Sequence, residues 1–555
     1  MNGMDKKLLT LWNSVSSGII KQEDLAEVLQ LSSKQSTRYM QKWTNQGWLI
    51  FTSGKGRGNV SSLQWLKNIE EIYEEKLMQI IDEEPVETSS KFLLFDWSKD
   101  SKIRLMNKFH SKFGYVQSTN DADKLIIPLR HLLLTMHPLE AADVQSANMV
   151  ANIFNRLVSV DAKGFISPEL AHSWDETPSK LRLYLKKDIK FHDGSVLTSD
   201  DVVNCLEKLR HHPYFQDLWK PVEDIKIVAP LIIDISFPNG CSYCLQMLGT
   251  INASIYKENK GHVFGTGSFY SANNDEQKTT LKAFKDYFQE RPLLDVVEFI
   301  QVPKDFDIVY RSAKQDAKNS TFQVESDSGF GVVIMNTFRQ SAIQRKEVRD
   351  YLHYVIAKYR HEINQVHSRA MPNHKSCLIG QDQNYVVPQI ERPHFDKPIV
   401  VKIVNYTENT TMWMKDIFEK EGVPVELIWL SFGDMINNES KNQEVDLFIH
   451  GEVFEMNQNF SFYYFLKNGY SPLANIIKTN ATLTRLLDEY VHTPFEDWTS
   501  LNLKVERTLL ESSIMIPLYY EKRQIPFSAD LMNIRIKHFG YVDFSKLWVR
   551  PNINE

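Results

Sequence analysis

Lys34, Arg38 and Lys42 recur every four residues, a spacing that on a helix lines three cations along one face. Gln35, Thr37 and Gln41 lie among them and can exchange hydrogen bonds with base edges. Further on, Lys55 and Arg57 alternate with glycine in Ser53-Gly54-Lys55-Gly56-Arg57-Gly58-Asn59. A flexible basic tip of that kind can approach a phosphate or the minor groove. The glycine spacing could be taken for a nucleotide loop, but it lacks the Gly-Lys-Ser/Thr ending and does not open a helix. This is the chemistry of double-stranded DNA recognition.

Other reactive side chains point nowhere as specific. In Phe191-His192-Asp193-Gly194 the glycine marks a turn, and Asp200 is placed to cap the helix that follows. Cys241 and Cys244 could be a redox pair or half a zinc site, yet there is no second CxxC and no matching histidine pair. Two cysteines on one helical face fit better. His211-His212 show no metal-ligand spacing, and no Ser-His-Asp or paired-carboxylate constellation is identifiable. No catalytic residue, metal or cofactor is expected.

The elements that must carry the basic residues follow from local pattern. Glu23-Asp24 open a short helix through Leu25, Ala26, Val28 and Leu29, their charges suiting its positive end. Leu31-Ser32-Ser33 is a tight break, with Ser33 the expected cap of a second helix from Lys34 to about Gln46. Tyr39, Met40 and Trp43 point from that helix toward a core. Gly47 ends it. Trp48–Thr52 and Val60–Trp65 then alternate like paired strands around the glycine-rich tip. Helix, turn, helix and basic hairpin make a winged helix-turn-helix.

Composition places this element in a larger chain. The 555 residues suggest two to four folding units. With 42% hydrophobic and 24% charged residues and no low-complexity tract, the chain is globular. Its four cysteines (Cys205, Cys241, Cys244, Cys377) are no disulfide framework. No apolar run approaches the ~20 residues of a membrane helix. Lys6-Lys7 before Leu8-Leu9-Thr10-Leu11-Trp12 lacks the long apolar run and cleavage site of an export signal, so a cytoplasmic location is expected.

The formal charge of −6 hides a segregation. Residues 1–66 hold eight basic and four acidic side chains, a net +4, which leaves −10 for the rest. Residues 67–90 are acidic and amphipathic, with Ile69, Ile72, Tyr73, Leu77, Ile80 and Ile81 at helical spacing. Pro85 and Thr88-Ser89-Ser90 are expected to end that segment. From about 120 to 550, β-rich runs (Leu181–Leu185, Ile225–Phe237, Ile399–Val404, Val425–Leu430) mix with helical ones. Residues 91–119 carry no clear pattern.

Residues 25–66, with Gly47-Trp48-Leu49 and the Gly56-Arg57-Gly58 wing, resemble the N-terminal domain of SgrR-type transcriptional regulators. In that family a winged-helix DNA reader is fused to a solute-binding domain. The remainder resembles family 5 extracytoplasmic solute-binding proteins, the peptide and nickel receptors of ABC importers. The resemblance runs through Asn152-Ile153-Phe154-Asn155-Arg156-Leu157-Val158, Asp161-x-x-Gly164 and Pro168-x-Leu170-Ala171-x-Ser173-Trp174. Its most specific piece is Lys190-Phe191-His192-Asp193-Gly194-Ser195 with Thr198-x-Asp200-Asp201-Val202. Gly265-Thr266-Gly267-Ser268-Phe269-Tyr270 resembles the GTGxY turn, with Ser268 in place of proline. Asn336 with Arg345–Arg349 resembles the segment entering the second lobe, and Ile516–Tyr520 the one returning from it.

The resemblance implies a multidomain α/β architecture. Residues 1–115 form the winged helix-turn-helix with its acidic connecting helix (67–90). Residues 120–550 form a two-lobed type II ligand-sensing domain, its second lobe at about 338–515. Solute is expected between the lobes. Similar peptide receptors hold a ligand ammonium with an acid after the strand that Val445–Gly451 matches, and the register implies Glu455 for that role. Glu452 stands where the family carries an aromatic, which weakens a peptide assignment. Trp413, Trp429, Phe432 and Tyr270 complete the expected ligand set. The function expected is a cytoplasmic, ligand-responsive transcriptional regulator of transport-related genes, not an enzyme. Its partners are DNA and a small solute of sugar, sugar phosphate, peptide or siderophore class, with no membrane. The 67–90 segment is a candidate for coupling or homodimerisation. The alternative is a solute receptor of an importer.

Overall fold

In the computed structural model, the described residues are 3–54, 60–117, 122–129, 133–161, 163–275, 277–303, 306, 321–404, 406–431, 444–454, 457–468, 472–528, 531–537 and 541–549. Helix α1 (Lys6–Ser14) buries Leu8, Leu9 and Leu11, and its N-terminus is capped by Asp5. Strand β1 (Gly18–Ile20), α2 (Gln22–Leu29) and α3 (Ser33–Asn45) follow. Strands β2 (Leu49–Thr52) and β3 (Ser61–Trp65) complete a three-stranded sheet in the order β1-β3-β2. This is the expected winged helix-turn-helix.

The cap of α3 is Ser32 rather than Ser33, because only Ser32 has the extended backbone from which a side chain reaches the amide three residues on. Gln35 returns the bond, forming a capping box. At the other end Gly47 takes φ +72°, letting the Trp48 amide reach the Trp43 carbonyl at 3.0 Å.

The acidic stretch is two helices, α4 (Ile69–Glu83) and α5 (Val86–Leu93). Pro85 does stop α4, whose C-cap is Glu84, but it also occupies the N-cap of α5, where a missing amide hydrogen costs nothing. Thr88-Ser89-Ser90 are helical, and Ser89 bonds back to the Pro85 and Val86 carbonyls. The patternless stretch holds α6 (Lys99–Phe109) and β4 (Gly114–Gln117). Helix α4 packs into the core of its own unit through Ile69, Tyr73, Leu77, Ile80 and Ile81.

Strand β5 (Asp123–Leu129) enters a five-stranded sheet in the order Phe269–Asn274, Lys278–Ala283, Val296–Gln301, β5, β4. Beside it a four-stranded antiparallel sheet runs Asp224–Ala229, Ile232–Ser236, Lys180–Leu185, Ala171–Thr177. Both belong to a first lobe. The second lobe carries a six-stranded sheet ordered Ala370–Pro372, Met515–Ser528, Thr321–Met335, Leu447–Val453, Ile399–Ile403, Val425–Trp429. Its parallel and antiparallel strands are covered by Lys346–Tyr359 and Glu408–Lys420, whose apolar faces fill a separate core. The long antiparallel pair Thr321–Met335 and Met515–Ser528 contributes to both lobes' cores, Phe527 to one and Ile516 and Leu518 to the other. Its register slips between Gly331 and Val332, where the Tyr519 ring lies so close to Gly331 that a Cβ would fall 2.2 Å from it.

Candidate nucleic-acid interface and solute cleft

Helix α3 turns Met40 and Trp43 into the core and leaves Lys34, Arg38 and Gln41 exposed. Asn45, four residues beyond Gln41, extends the same exposed row and was legible from that spacing. Three of the expected contacts are already engaged. Gln35 closes the capping box. Thr37 donates to the Ser33 carbonyl at 2.8 Å and accepts from Gln22 Nε2. Lys42 Nζ lies 2.9 Å from Asp5 Oδ2, which also accepts the Trp43 indole N–H at 3.1 Å. Lys42 is held at the edge of the row by an acid 37 positions away. Lys55 and Arg57 fall outside the described residues; the hairpin below them is closed by the Gly54 amide on Ser61 Oγ at 3.3 Å.

In the first lobe the FHDG turn is built by backbone recognition. His192 Nδ1 accepts the Gly265 amide at 3.3 Å, and Nε2 donates to the Gly267 carbonyl at 3.0 Å. Burial pushes its pKa down to about 4. The helix after it is capped by Thr198 in a capping box with Asp201, not by Asp200, which sits within the first turn. Tyr270 is half-buried, its ring centroid 6.0 Å from that of His192. Cys241 lies in the turn before the helix that Cys244 begins, so the two do not share a helical face. Both are buried free thiols. Among the described residues no group of three His, Cys, Asp or Glu is arranged to hold a metal.

The second lobe separates the expected aromatics. Trp413, on Glu408–Lys420, is 5% exposed and packs with Met414, Ile417 and Phe418 in the lobe's own core, contrary to the expectation that it lines the cleft. Its helix presents that face to the sheet. Trp429 ends the edge strand Val425–Trp429 with 55% of its surface open. Glu455 and Phe432 lie outside the described residues.

Two residues without a motif stand out instead. Tyr406 keeps 50% of its surface open, yet burial raises its hydroxyl pKa well above the ordinary value. Tyr519 and Glu452 are its ionisable neighbours, and Glu452 Oε2 lies 3.3 Å from His450 Nε2. On the adjoining strand Lys402 is 2% exposed, its ammonium 4.2 Å over the Phe448 ring, and burial lowers its pKa to about 7.

An aromatic seam joins the helices Gln458–Lys467 and Trp498–Glu511 to the first lobe. Tyr243 packs edge-on to Tyr463 and Trp498, all three in the core that holds the first lobe's sheets, with the two tyrosine hydroxyls 3.2 Å apart. Tyr464 donates to Asn252 at 2.7 Å, and Ser242 donates to the Tyr490 carbonyl at 2.7 Å.

Two buried histidines set an acid limit. Burial holds His353, like His192, far below the ordinary value, at about 3. Both are neutral in the fold and take a proton on unfolding below pH ~6.5. The stability they contribute is complete above that pH and falls as pH drops toward about 4 for His192 and about 3 for His353. Each slope approaches about 1.4 kcal/mol per pH unit. Melting temperature from pH 7 to pH 5 should therefore fall more steeply in the wild type than in His353→Gln; parallel curves would remove His353 from the account.

Comparison with known proteins finds two family matches along the chain. Residues 7–117 match the family described as sugar transport-related sRNA regulator N-term. Residues 166–325 match the middle region of bacterial extracellular solute-binding proteins, family 5. The HTH-type transcriptional regulator SgrR of Pectobacterium atrosepticum is 22% identical over 557 residues, covering 95% of each chain. That of Yersinia enterocolitica is 22% identical over 575 residues, covering 99% of each. Among solved structures, a dipeptide-binding protein from Pseudoalteromonas in complex with Met-Leu is 15% identical with a TM-score of 0.64, over 77% of this chain and all of that one. The AgaA binding protein of A. tumefaciens R10 in complex with agropinic acid is 17% identical with a TM-score of 0.64, over 78% and 99%. At these identities the structural likeness concerns the fold.

Proposed function

We propose that this chain, an SgrR-type regulator in which a winged helix is fused to a family 5 solute-binding domain, binds double-stranded DNA through α3 and its wing and a small solute between its lobes. It acts in the cytoplasm on transport-related genes and performs no chemical step. The observation that carries the DNA reading is the exposed row Lys34, Arg38, Gln41 on a helix whose opposite face is fully buried. Such a row fits the major groove, and Lys55 and Arg57 remain candidates for contacts to the DNA backbone. The solute reading is supported by the likeness of this region to solute-binding proteins, and the exposed Tyr406, just past the strand Ile399–Ile403, is a candidate contact. Trp429, Glu455, Phe432 and Tyr270 remain further ligand candidates. A solute that changes DNA affinity tenfold must bind the two states with a difference of about 1.4 kcal/mol.

If four cations of α3 and the wing each neutralise a phosphate, log affinity falls with log salt at a slope of roughly −3 to −4 per reader. A flat dependence in a binding titration would contradict the interface. For the solute, a thermal-shift screen of sugars, sugar phosphates, peptides and siderophores should find one class that stabilises, by about 2.7 kcal/mol at a hundredfold excess over Kd. An importer receptor would leave the α3 row without a role; recovery of the protein outside the membrane on fractionation would favour that alternative.

A further inference from the structure

The winged helix does not end before the first lobe begins. Strand β4 directly follows α6 and pairs antiparallel with β5, Gly114 opposite Ile126 through Gln117 opposite Asp123, so the N-terminal unit supplies the edge strand of the lobe's sheet. One apolar core runs from Leu8, Met40 and Trp43 through Tyr73 and Phe109 into Ile126, Ile300 and Val302 of that sheet. Phe306 of the lobe sits 5.2 Å from Phe113 and 6.3 Å from Phe109, and stacks on His110 at 4.1 Å.

A charge ladder crosses the same boundary. Glu87 of α5 pairs with Lys278; Lys278 Nζ lies 3.1 Å from Glu298 Oε1; and Lys124 pairs with the other oxygen of Glu298. Glu298 is buried, so each lysine meets it at low dielectric, where a pair broken on one side is costly.

We infer that the DNA reader and the first lobe form one rigid body, clamped by β4 and by the Glu87–Lys278–Glu298–Lys124 ladder. An independently swinging domain would be tied by a polar, exposed linker with few contacts; here the connection is a paired strand over a continuous core. In the regulator reading, on which only this consequence rests, solute control of DNA binding does not act by reorienting α3 on the first lobe.

Spin labels at Glu27→Cys in the reader and Lys226→Cys in the first lobe test the clamp by electron–electron distance measurement on the full chain, the four native cysteines being buried. One narrow distance is expected, unchanged when DNA is added. A broad or multiple distribution overturns the rigid body, and since no DNA is needed for the first measurement, that failure is separate from any failure to bind DNA. Glu298→Gln is expected to broaden the distribution and lower the melting temperature. Should it fail to fold, Glu87→Gln removes the one reader-side charge and is expected to broaden it less. An unaltered distribution in Glu87→Gln and in a folded Glu298→Gln removes the ladder from the clamp.

Discussion

Arg38→Ala lowers affinity for specific DNA about tenfold to a hundredfold at moderate salt, the 1–3 kcal/mol that a base-reading arginine contributes. The side chain stands exposed in the middle of α3, between Lys34 and Gln41. The helix behind it is held by Met40 and Trp43 in the core and by the Ser32–Gln35 capping box. Truncation at the surface therefore leaves the helix folded, and the loss reports DNA contact alone. Lys34→Ala should reduce the salt slope by about one unit and weaken all sequences alike, as loss of a phosphate contact does. Lys42→Ala should matter less, because Asp5 already holds that ammonium. Anisotropy titrations on fragments selected from genomic DNA distinguish the three. Wild-type affinity in Arg38→Ala, with selectivity intact, would mean that α3 does not read bases.

Trp498→Ala destabilises the chain by about 3–5 kcal/mol, the cost of removing a fully buried large aromatic. Its ring meets Tyr490 at 4.7 Å, Tyr463 at 5.1 Å, Tyr243 at 5.6 Å and Phe460 at 6.2 Å, and its N–H donates to the Thr493 carbonyl at 3.0 Å. Tyr243, Tyr463 and Trp498 share the core of the first lobe's sheets, so the cavity opens at the seam where these helices pack on that lobe. A lower denaturation midpoint should come with a larger radius of gyration in solution scattering. Tyr463→Phe, which removes only the hydroxyl near Tyr243, should cost about 0.5–1.5 kcal/mol. An unchanged midpoint in Trp498→Ala would show that the seam carries no stability.

The winged helix was readable because its determinants are local. Helical period, a turn, a terminal glycine and two alternating runs lie within some forty residues, and each acts on its immediate neighbours. The cap of α3 was misplaced by one residue because Ser32 and Ser33 are chemically alike and only backbone angles tell them apart. Pro85 was read as a stop, which it is for α4, but the helix that starts at it went unread, since a proline is equally at home there. In the second lobe the strands Ile399–Ile403 and Val425–Trp429 were visible as apolar runs. The fates of Trp413 and Trp429 were not, since the same residue type is core on one side of a sheet and open at its edge.

The sequence alone determined that a small basic segment precedes a large acidic remainder, and that α3 carries its cations on one face, because both follow from composition and from the 3.6-residue turn, whereas the two lobes entered only through a family resemblance. The tertiary structure decided which of those cations are unengaged, since Lys42 is claimed by Asp5 through a fold that brings α1 beside α3. It also decided that Lys402 is buried over the Phe448 ring while Tyr406, just past the same strand, stays open, and that the N-terminal unit shares a sheet and a core with the first lobe. Hydrogen-bonded pairing and burial join residues far apart in the chain, and no local pattern records such partners.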